Sequence, residues 1–381
     1  MRIVSIVGAR PQFVKLAPLI RAIEERRRTD DLEHLILHTG QHYDTGLSHI
    51  FFEELRLPQP DFNLEVGSGP HGQQTGQMLE KIEQVLLQTA PAMVLVFGDT
   101  NSTLAGALAA SKLRLPVAHI EAGLRSFNRA MPEEINRIVA DHASDLLLAP
   151  TPAAMENLTR EGLGDKSVLT GDIMYEAVLL SLEVARAKSD LLARFGLRPG
   201  AYGLVTLHRA ENTDDPQRLR RLLEAFNAIA ANDLPLILPL HPRTARQLSA
   251  QCADWVAHPR LQVIEPLGYF EILQLLDHAR VTLTDSGGLQ KEAFFVGCPC
   301  VTLREETEWI ETVEGGGNVL TGADPERIFA ALALWKGQYP RGGADFSSNV
   351  RKFFGQEHVS TAILDAVSGF VEQRDRPLQG P

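Results

Sequence analysis

The stretch VTLTDSGGLQKEA, residues 281–293, has the pattern of a strand, a tight turn and a helix in immediate succession. Its first residues are apolar or β-branched, which predicts a buried strand, and Asp285 or Ser286 is of a type that caps a helix. Gly287 and Gly288 have no Cβ, so backbone N–H groups can approach a ligand there. A helix N-terminus with free N–H donors suits phosphate oxygens, and a plain capping turn is the alternative.

Short apolar runs followed by segments of helical periodicity recur along the whole chain, which has 381 residues. Helical segments such as 103–113 and 218–231 separate them, so we predict parallel sheets covered on both faces. A chain of this length suits two domains, and turn residues between 171–177 and 195–203 predict the boundary. We therefore expect an α/β protein with two doubly wound, Rossmann-like halves. The runs are RIVSIVG, HLILHTG, AMVLVFGD, LPVAHIEAG, DLLLAPT, SVLTGD, YGLVTLHR, LPLILPLHP, LQVIEPL, RVTLTDSGG, PCVTLRE and GNVLTG.

The composition restricts the partners and the compartment. The formal net charge of -11 disfavours a nucleic-acid groove, so we expect no nucleic-acid partner. No apolar run approaches the roughly 18 residues that a membrane helix needs, so we expect no membrane partner. Cys252, Cys298 and Cys300 make an odd count without a signal sequence, which predicts a reduced, cytoplasmic protein. Cys298 and Cys300 alternate on an apolar run, so we expect buried thiols rather than metal ligands.

Chemically active residues follow nearly every predicted strand. Doubly wound sheets bind ligands outside the carboxyl ends of their strands, so two facing halves would form a cleft lined by these motifs. No G-x-G-x-x-G fingerprint is present, which argues against a nicotinamide cofactor. His38 and His42 are four residues apart, but a glycine and a predicted turn separate them, so we expect no metal site. The motifs are GARPQ, TGQH, GDTNST, HIEAGLR, LHRAEN, LHPRT, IEPLGY and TDSGG.

The carboxylates concentrate in HIEAGLRSFNRAMPEEINR, residues 119–137. Together with Asp99 of GDTNSTLAG, Glu121 and either Glu133 or Glu134 would form a group of carboxylates at one site. Carboxylates are suited to proton transfer. The alternatives are a solvated loop and, for Asp99, a helix cap.

Basic residues also follow predicted strands. In GARPQFVK, Arg10 and Lys15 put two cations at a strand–helix junction, where a diphosphate could use them. His208 follows a strand in the second half, beside an arginine and near a glutamate. The alternatives are a surface arginine, a lysine whose stem lies along apolar surface, and a structural histidine.

Taken together and in order, the motifs resemble the non-hydrolysing UDP-N-acetylglucosamine 2-epimerases over roughly residues 2–322. The resemblance implies a glycosyltransferase-B-like architecture with the active site between two Rossmann-like domains and a C-terminal helix that returns to the first. We place the domains at residues 1–175 with 358–381, and at 176–357. The motifs are GARPQFVKLAPLI, TGQHYD, GDTNSTLAGALAA, HIEAGLR, MPEEINR, APTPAAMENLTREG, LHRAEN, IEPLGY and TDSGGLQKEA.

The resemblance also implies an activity. Members of this family interconvert UDP-GlcNAc and UDP-ManNAc by eliminating UDP and adding it back through a 2-acetamidoglucal intermediate, without NAD or a metal. We therefore expect an isomerase with a UDP-sugar substrate and no cofactor, forming a homodimer and serving the synthesis of bacterial surface polysaccharide precursors. The implied catalytic residues are Asp99, Glu121, Glu133 and His208, and the implied binding residues are Arg10 and Lys15 near the diphosphate, Ser286, Gly287 and Gly288 on it, and Glu292 on the ribose.

The sequence departs from the commonest family pattern in two places. EETEWIE, residues 305–311, has Trp309 where many members have an arginine, and QHYDTG, residues 41–46, replaces a QHREM-like string of regulated members. These changes resemble a branch that epimerises UDP-2,3-diacetamido-2,3-dideoxy-glucuronic acid. For that substrate a cation should meet the C6 carboxylate, and the candidates are Arg125, Arg129 and Arg243.

Two further classes of function remain open at this point. A glycosyltransferase of the same architecture would need an acceptor and would not equilibrate a UDP-sugar alone. A nucleotide-sugar sensor without activity would bind its ligand after loss of Asp99 or Glu121. Both rest on a fold that supports many functions.

Overall fold

The computed structural model divides the chain into two compact units, Met1–Leu180 with Phe353–Pro381, and Ser181–Lys352. The domain ends expected from the sequence, 175 and 358, each differ from these bounds by five residues (180 − 175 and 358 − 353). The division falls within a helix, where no turn marks it. The residues that the structure describes are 1–41, 57–188, 191–336, 347–355 and 358–375.

The strands and helices alternate along the chain. The strands are β1 Arg2–Val7, β2 Glu33–His38, β3 Phe62–Asn63, β4 Met93–Phe97, β5 Val117–Ile120, β6 Leu146–Ala149, β7 Ser167–Leu169, β8 Gly203–Thr206, β9 Leu236–Pro239, β10 Leu261–Ile264, β11 Val281–Thr284, β12 Cys300–Thr302 and β13 Asn318–Leu320. The helices are α1 Arg10–Arg26, α2 His71–Thr89, α3 Asn101–Lys112, α4 Pro132–Ala143, α5 Pro152–Arg160, α6 Ile173–Lys188, α7 Leu191–Arg194, α8 Ala210–Thr213, α9 Pro216–Asn232, α10 Pro242–Gln251, α11 Tyr269–His278, α12 Gly287–Phe295, α13 Ile310–Glu314, α14 Pro325–Lys336, α15 Ser347–Phe354 and α16 Val359–Asp375.

The sheet of the first unit has the order β3-β2-β1-β4-β5-β6-β7. Every pairing in it is parallel, and β4 is buried along its whole length. One core cluster joins α1 to α16, with Phe13 and Ile363 among its members, and a second includes Met78 and Ala105 of α2 and α3. Strands β1 to β3 are added towards one edge of the sheet and β4 to β7 towards the other, so the strand order reverses between β1 and β4. Ligands are expected outside the carboxyl ends of these two strands.

The C-terminal helix α16 belongs to the first unit. Arg26 of α1 pairs with Asp365 and lies 3.2 Å from the hydroxyl of Ser368. At the start of α16, the Ser360 hydroxyl donates to Glu176 at 2.7 Å. Buried apolar residues and these polar contacts together hold the helix to the unit that the sequence assigned it to.

The sheet of the second unit has the order β10-β9-β8-β11-β12-β13, again with parallel pairings. Its core packs α9 and α14 against the strands, with Phe226 and Ile328 fully buried. In this sheet the strand order reverses between β8 and β11. The motifs LHRAEN and TDSGG follow these two strands, so both lie where a ligand is expected.

The predicted class, two parallel-sheet α/β units, is confirmed. Every apolar run named above contains a strand, and the sequence missed only the two-residue strand β3 among the described strands. Cys252, Cys298 and Cys300 are free and buried, and burial raises the pKa of Cys300 to about 12. Within the described ranges, no helix has the length and apolar character needed to cross a membrane. The motif residues 42–46, His42 among them, lie outside the described residues.

Candidate active site

A buried glutamine joins the two loops at the switch point of the first unit. The Gln12 carbonyl accepts from the backbone N–H groups of Gly8 and Ala9 at 2.8 and 3.0 Å. Its amide donates to the backbone oxygen of Phe97 at 2.8 Å and to the hydroxyl of Thr100 at 3.0 Å. The loop after β1 is therefore fixed to the loop after β4. Gln12 stands inside the GARPQ motif, but its residue type alone did not single it out as part of the site.

Lys15 and Glu121 form a buried ion pair in this unit. The Lys15 ammonium contacts Glu121 Oε2, and the two side chains are 9% and 6% exposed. Glu121 has a φ of +73°, a left-handed conformation that costs a glutamate energy and directs its side chain. Gly98 lies against the pair, because a Cβ on it would be 3.1 Å from Glu121 Oε2 and 3.4 Å from Lys15 Nζ. Lys15, expected near a diphosphate, instead pairs with a proposed catalytic carboxylate.

Asp99 lies beside this pair and is held by an arginine. Arg137 contacts Asp99 Oδ2 with one nitrogen and Glu134 Oε2 at 3.0 Å with another. The Asn136 amide fixes the Asp99 backbone oxygen at 3.0 Å. Desolvation raises the pKa of Asp99 above its ordinary value, while Arg137 opposes the rise and Glu121 adds to it. With 32% of its side chain exposed, Asp99 is accessible to a reactant.

The adjacent glutamates of α4 have different surroundings. Glu134 is buried and accepts from the backbone N–H groups of Ser126 and Phe127, each at 2.9 Å. Glu133, the residue expected to be catalytic, is exposed in the first turn of the helix. The structure therefore gives Glu134 a structural role in shaping the loop and leaves Glu133 accessible.

A network that the sequence analysis did not anticipate lies beneath these residues. Asp141 is fully buried, 2.7 Å from His119 Nδ1 and 2.8 Å from Arg125 Nη1. It also accepts from the backbone N–H of Gly123 at 3.1 Å. The other ring nitrogen of His119 is 2.7 Å from the backbone oxygen of Gly98. Asp141 thus supports the turn that precedes Asp99.

The same network rules out one expectation. Arg125, proposed to meet a substrate carboxylate, has a side chain only 1% exposed and binds Glu161 through two nitrogens at 2.7 Å as well as Asp141. That prediction was wrong, because two carboxylates already neutralise and enclose the guanidinium. Arg129 is exposed and remains available.

Asp141→Ala is expected to lower the free energy of unfolding by about 3–5 kcal/mol at neutral pH, because it leaves Arg125 and His119 buried with a lost partner. Although burial opposes its charge, His119 and Arg125 hold the pKa of Asp141 below its ordinary value. Because the pKa of Asp141 is lower in the folded protein than in the unfolded chain, its charge stabilises the fold above the unfolded-state pKa of about 3.9. This stabilisation is lost as pH falls through the folded-state pKa, so the difference in unfolding free energy between the wild type and Asp141→Ala should narrow below about pH 4. Urea unfolding of both proteins across this range measures it.

The exposed Asp165 provides the control for that measurement, since Asp165→Ala removes the same charge from the same unit. It should unfold within about 0.5 kcal/mol of the wild type. An Asp141→Ala protein that is equally stable would contradict the structural role of the network.

In the second unit a buried carboxylate joins the loops at the switch point. Asp285 accepts from the backbone N–H of His208 at 3.1 Å, from that of Arg209 at 2.9 Å and from the Asn212 amide at 3.1 Å. The His208 imidazole lies 3.8 Å from Asp285 and is 37% exposed. Its ring is 5.7 Å from that of His241. His208 is thus both fixed by its backbone and accessible at its ring.

The amino end of α12 has the geometry expected from its sequence. Ser286 is the N-cap, and its hydroxyl accepts from the Leu289 N–H at 3.4 Å. Gly287 and Gly288 begin the helix, where N–H groups have no intrahelical acceptor. Glu292 is buried one turn further on. The helix end can therefore bind phosphate oxygens through its backbone.

Trp309 and Arg243, which the sequence also singled out, each contact a partner in this unit. The Lys291 ammonium lies 3.8 Å from the centre of the Trp309 ring, a cation–π contact, and both residues are buried. Trp309 therefore covers a buried cation of α12. Arg243 is paired with Asp214 at 2.6 Å while 40% of its side chain stays exposed.

Metal-ligand clusters are absent from the part of the chain that the structure describes: no three histidine, cysteine, aspartate or glutamate side chains there could hold an ion together. The Arg10 side chain is outside the described atoms, although its backbone begins α1.

A family model described as UDP-N-acetylglucosamine 2-epimerase matches residues 24–368 of this chain. The chain belongs to this family. Its members are epimerases, so the predicted enzyme class, isomerase, is confirmed, as is the resemblance seen in the sequence.

Relatives within the family match the chain along nearly its whole length. It is 48% identical to the UDP-2,3-diacetamido-2,3-dideoxy-D-glucuronate 2-epimerase of Pseudomonas aeruginosa, over 93% of this chain and 100% of that protein. It is 49% identical to a UDP-N-acetylglucosamine 2-epimerase homolog of Methanococcus maripaludis, over 96% and 99%. The crystal structure of the Methanocaldococcus jannaschii UDP-GlcNAc 2-epimerase in complex with UDP-GlcNAc and UDP superimposes with a TM-score of 0.83 at 42% identity, covering 97% and 100%.

The fold extends beyond the epimerase family. A lipopolysaccharide outer core galactosyltransferase has a TM-score of 0.57 at 13% identity, over 97% of this chain and 100% of that one, a likeness in fold alone. The expectation of a glycosyltransferase-B-like fold is confirmed.

Proposed function

We propose that this family member is a non-hydrolysing UDP-N-acetylglucosamine 2-epimerase that interconverts UDP-GlcNAc and UDP-ManNAc. The observation that carries the proposal is the arrangement of carboxylates at the switch point of the first unit. Glu121 contacts a buried ammonium, and Asp99 is partly exposed with a raised pKa. Two carboxylates in opposite surroundings suit the removal of a proton by one and its delivery by the other.

The chemistry requires both halves of such a pair. The C2 proton of an N-acetylhexosamine is next to no carbonyl, so its removal needs the C1–O bond to break with it. The C2–H electrons then form the C1=C2 bond of 2-acetamidoglucal, the proton passes to a carboxylate, and the C1–O electrons leave with UDP. In the return step a proton from the opposite face bonds to C2, and a UDP oxygen bonds to C1.

The surroundings of the carboxylates suggest their roles. Glu121, which contacts the Lys15 ammonium, fits the base, and Asp99, whose desolvation favours the protonated form, fits the donor, with the roles exchanged in the reverse direction. Exposed Glu133 is the third proposed carboxylate. Its part in proton exchange rests on the family resemblance.

The nucleotide would be held by the second unit. A helix N-terminus stabilises the charge of a leaving diphosphate, and an exposed imidazole can donate to it. The proposed binding residues are Ser286, Gly287 and Gly288 for the diphosphate and Glu292 for the ribose, with His208 in the same unit. Arg10 of the first unit is a further proposed binding residue, on the family resemblance. The Lys15 ammonium contacts Glu121, so Lys15 is proposed to act on that carboxylate and not on the diphosphate.

The substrate can be tested directly. We expect the protein, given UDP-GlcNAc alone, to form UDP-ManNAc, and UDP-ManNAc to give the same final mixture, as followed by the anomeric proton resonances. Adding NAD or EDTA should leave the rate unchanged, because the proposed steps use only side chains and the diphosphate. No interconversion without an added sugar acceptor would point to a transferase instead.

The diacetamido-glucuronate is the second candidate substrate. It is favoured by the 48% identity to the Pseudomonas aeruginosa enzyme over 93% of this chain, and by Trp309, which stands where many members have an arginine. A carboxylate–arginine contact made only with that sugar is worth about 1.5–3 kcal/mol, or roughly ten- to a hundredfold. The side-by-side kcat/KM values decide: a preference for UDP-GlcNAc excludes the second candidate. A preference of about tenfold for the uronic acid, lost in Arg129→Ala, would establish it.

We further propose a cytoplasmic homodimer that supplies precursors of bacterial surface polysaccharides. The three free, buried cysteines are compatible with a reducing compartment.

A further inference from the structure

A carboxylate of the chain itself lies at the amino end of α12. A methyl group built on Gly287 would collide with Glu308 Oε1 and would lie 3.3 Å from Glu308 Cδ and 3.6 Å from Arg209 Nη2. The space left by the missing Cβ is therefore filled by a glutamate rather than open to solvent. An arginine from the loop after β8 reaches the same point.

The second oxygen of this carboxylate is held by a buried arginine. Arg304 Nη1 lies 3.0 Å from Glu308 Oε2, and the side chains of the two residues are 6% and 14% exposed. Glu308 thus has one oxygen on a guanidinium and the other against the first residue of a helix.

These partners are those of a bound anion. The first N–H groups of a helix lack intrahelical acceptors and carry a partial positive charge, which stabilises a negative group placed there. Arg304 adds a full positive charge 3.0 Å from the carboxylate, and the Arg209 guanidinium lies near the same helix end. A desolvated guanidinium such as that of Arg304 is costly without a counter-charge, and Glu308 provides it.

We propose that Glu308 is an internal competitor for the diphosphate: its carboxylate occupies the anion position at the amino end of α12 and leaves when a nucleoside diphosphate binds. The inference rests on the proposed function, which assigns the diphosphate to this helix end. Arg304 then exchanges one anion for another and is never left uncompensated. Because binding must displace Glu308, the affinity for UDP is lower than the site could provide, which favours release of the nucleotide sugar after each turnover.

The test is the affinity for UDP, measured by titration calorimetry on the full chain. Glu308→Gln keeps the size of the side chain and an oxygen for Arg304 but removes the competing charge, so we expect UDP to bind about tenfold more tightly. Loss of structure would weaken binding, so a gain in affinity cannot come from damage. If the glutamine variant is unstable, Glu308→Ser tests the same point with the carboxylate removed.

Glu306→Gln is the matched control, because Glu306 belongs to the same loop and is exposed. It should change the affinity less than twofold, which separates local competition from a general change of charge. UDP binding to Glu308→Gln that is unchanged or weaker than in the wild type overturns the inference while leaving the proposed function intact. If UDP binds neither to the wild type nor to Glu308→Gln, both the inference and the proposed function are overturned.

Discussion

Replacing Asp99 with asparagine is expected to lower kcat for epimerisation by about a hundredfold or more, the usual cost of removing a positioned proton carrier. Asparagine has the same size and retains an oxygen that can accept from Arg137, so the turn after β4 should keep its shape. The Kd for UDP should change less than about threefold, since the diphosphate is assigned to the second unit. Steady-state rates and calorimetric titration of the same preparations separate the two effects.

Asp165→Asn makes the same chemical change at an exposed aspartate of the same unit and should leave both quantities as in the wild type. Loss of kcat together with a comparable loss of UDP affinity in Asp99→Asn would mean that Asp99 anchors the nucleotide. Turnover close to that of the wild type would remove Asp99 from the chemistry altogether.

Glu121→Gln and Lys15→Met are each expected to lower kcat by about a hundredfold, and the double variant should be little worse than either. Both substitutions destroy the same buried ion pair, and each leaves the other charge without its partner. Residues that act as a unit show effects that do not add in free energy. A double-mutant cycle on kcat, with the UDP affinity measured alongside, gives the coupling.

This cycle also tests the role first assigned to Lys15. If Lys15 bound the diphosphate, Lys15→Met would raise the Kd for UDP and its effect would multiply that of Glu121→Gln. Lys15→Arg should restore part of the activity, because it returns a cation to Glu121. Lys112→Met, at an exposed lysine, controls for the loss of a positive charge.

Much of the fold could be predicted from the sequence because the signals are local. An apolar run such as MVLVF in β4 is buried on both faces, and this pattern is typical of a parallel strand between two helical layers. Strand β3 was missed because it has two residues on the edge beside β2 and no apolar run. The unit boundary lies inside α6, between Leu180 and Ser181, where no turn residue marks it.

Site residues could be predicted from the sequence only where the signal lies within a few neighbouring positions. The N-cap Ser286 and the glycines after it are recognisable within a few residues. Lys15 and Glu121 pair across 106 positions, and residue type alone does not show such a pair.

Arg125 has the sequence context of a site residue, but its guanidinium is enclosed by Asp141 and Glu161. Neighbouring residues of a helix point about 100° apart, which is why Glu134 is buried while Glu133 is exposed. The spacing of Glu134 and Arg137, three residues apart, was the available signal for the buried member of the pair.

The central claim, elimination and re-addition of UDP with proton exchange at C2, is tested most directly by epimerisation in D2O. The wild-type protein is incubated with UDP-GlcNAc in D2O, and the C2 proton resonance of the product is followed. If a side-chain carboxylate accepts the proton and exchanges it with solvent before the opposite face is protonated, the UDP-ManNAc formed carries deuterium at C2. UDP-ManNAc that retains its original C2 proton would contradict the mechanism.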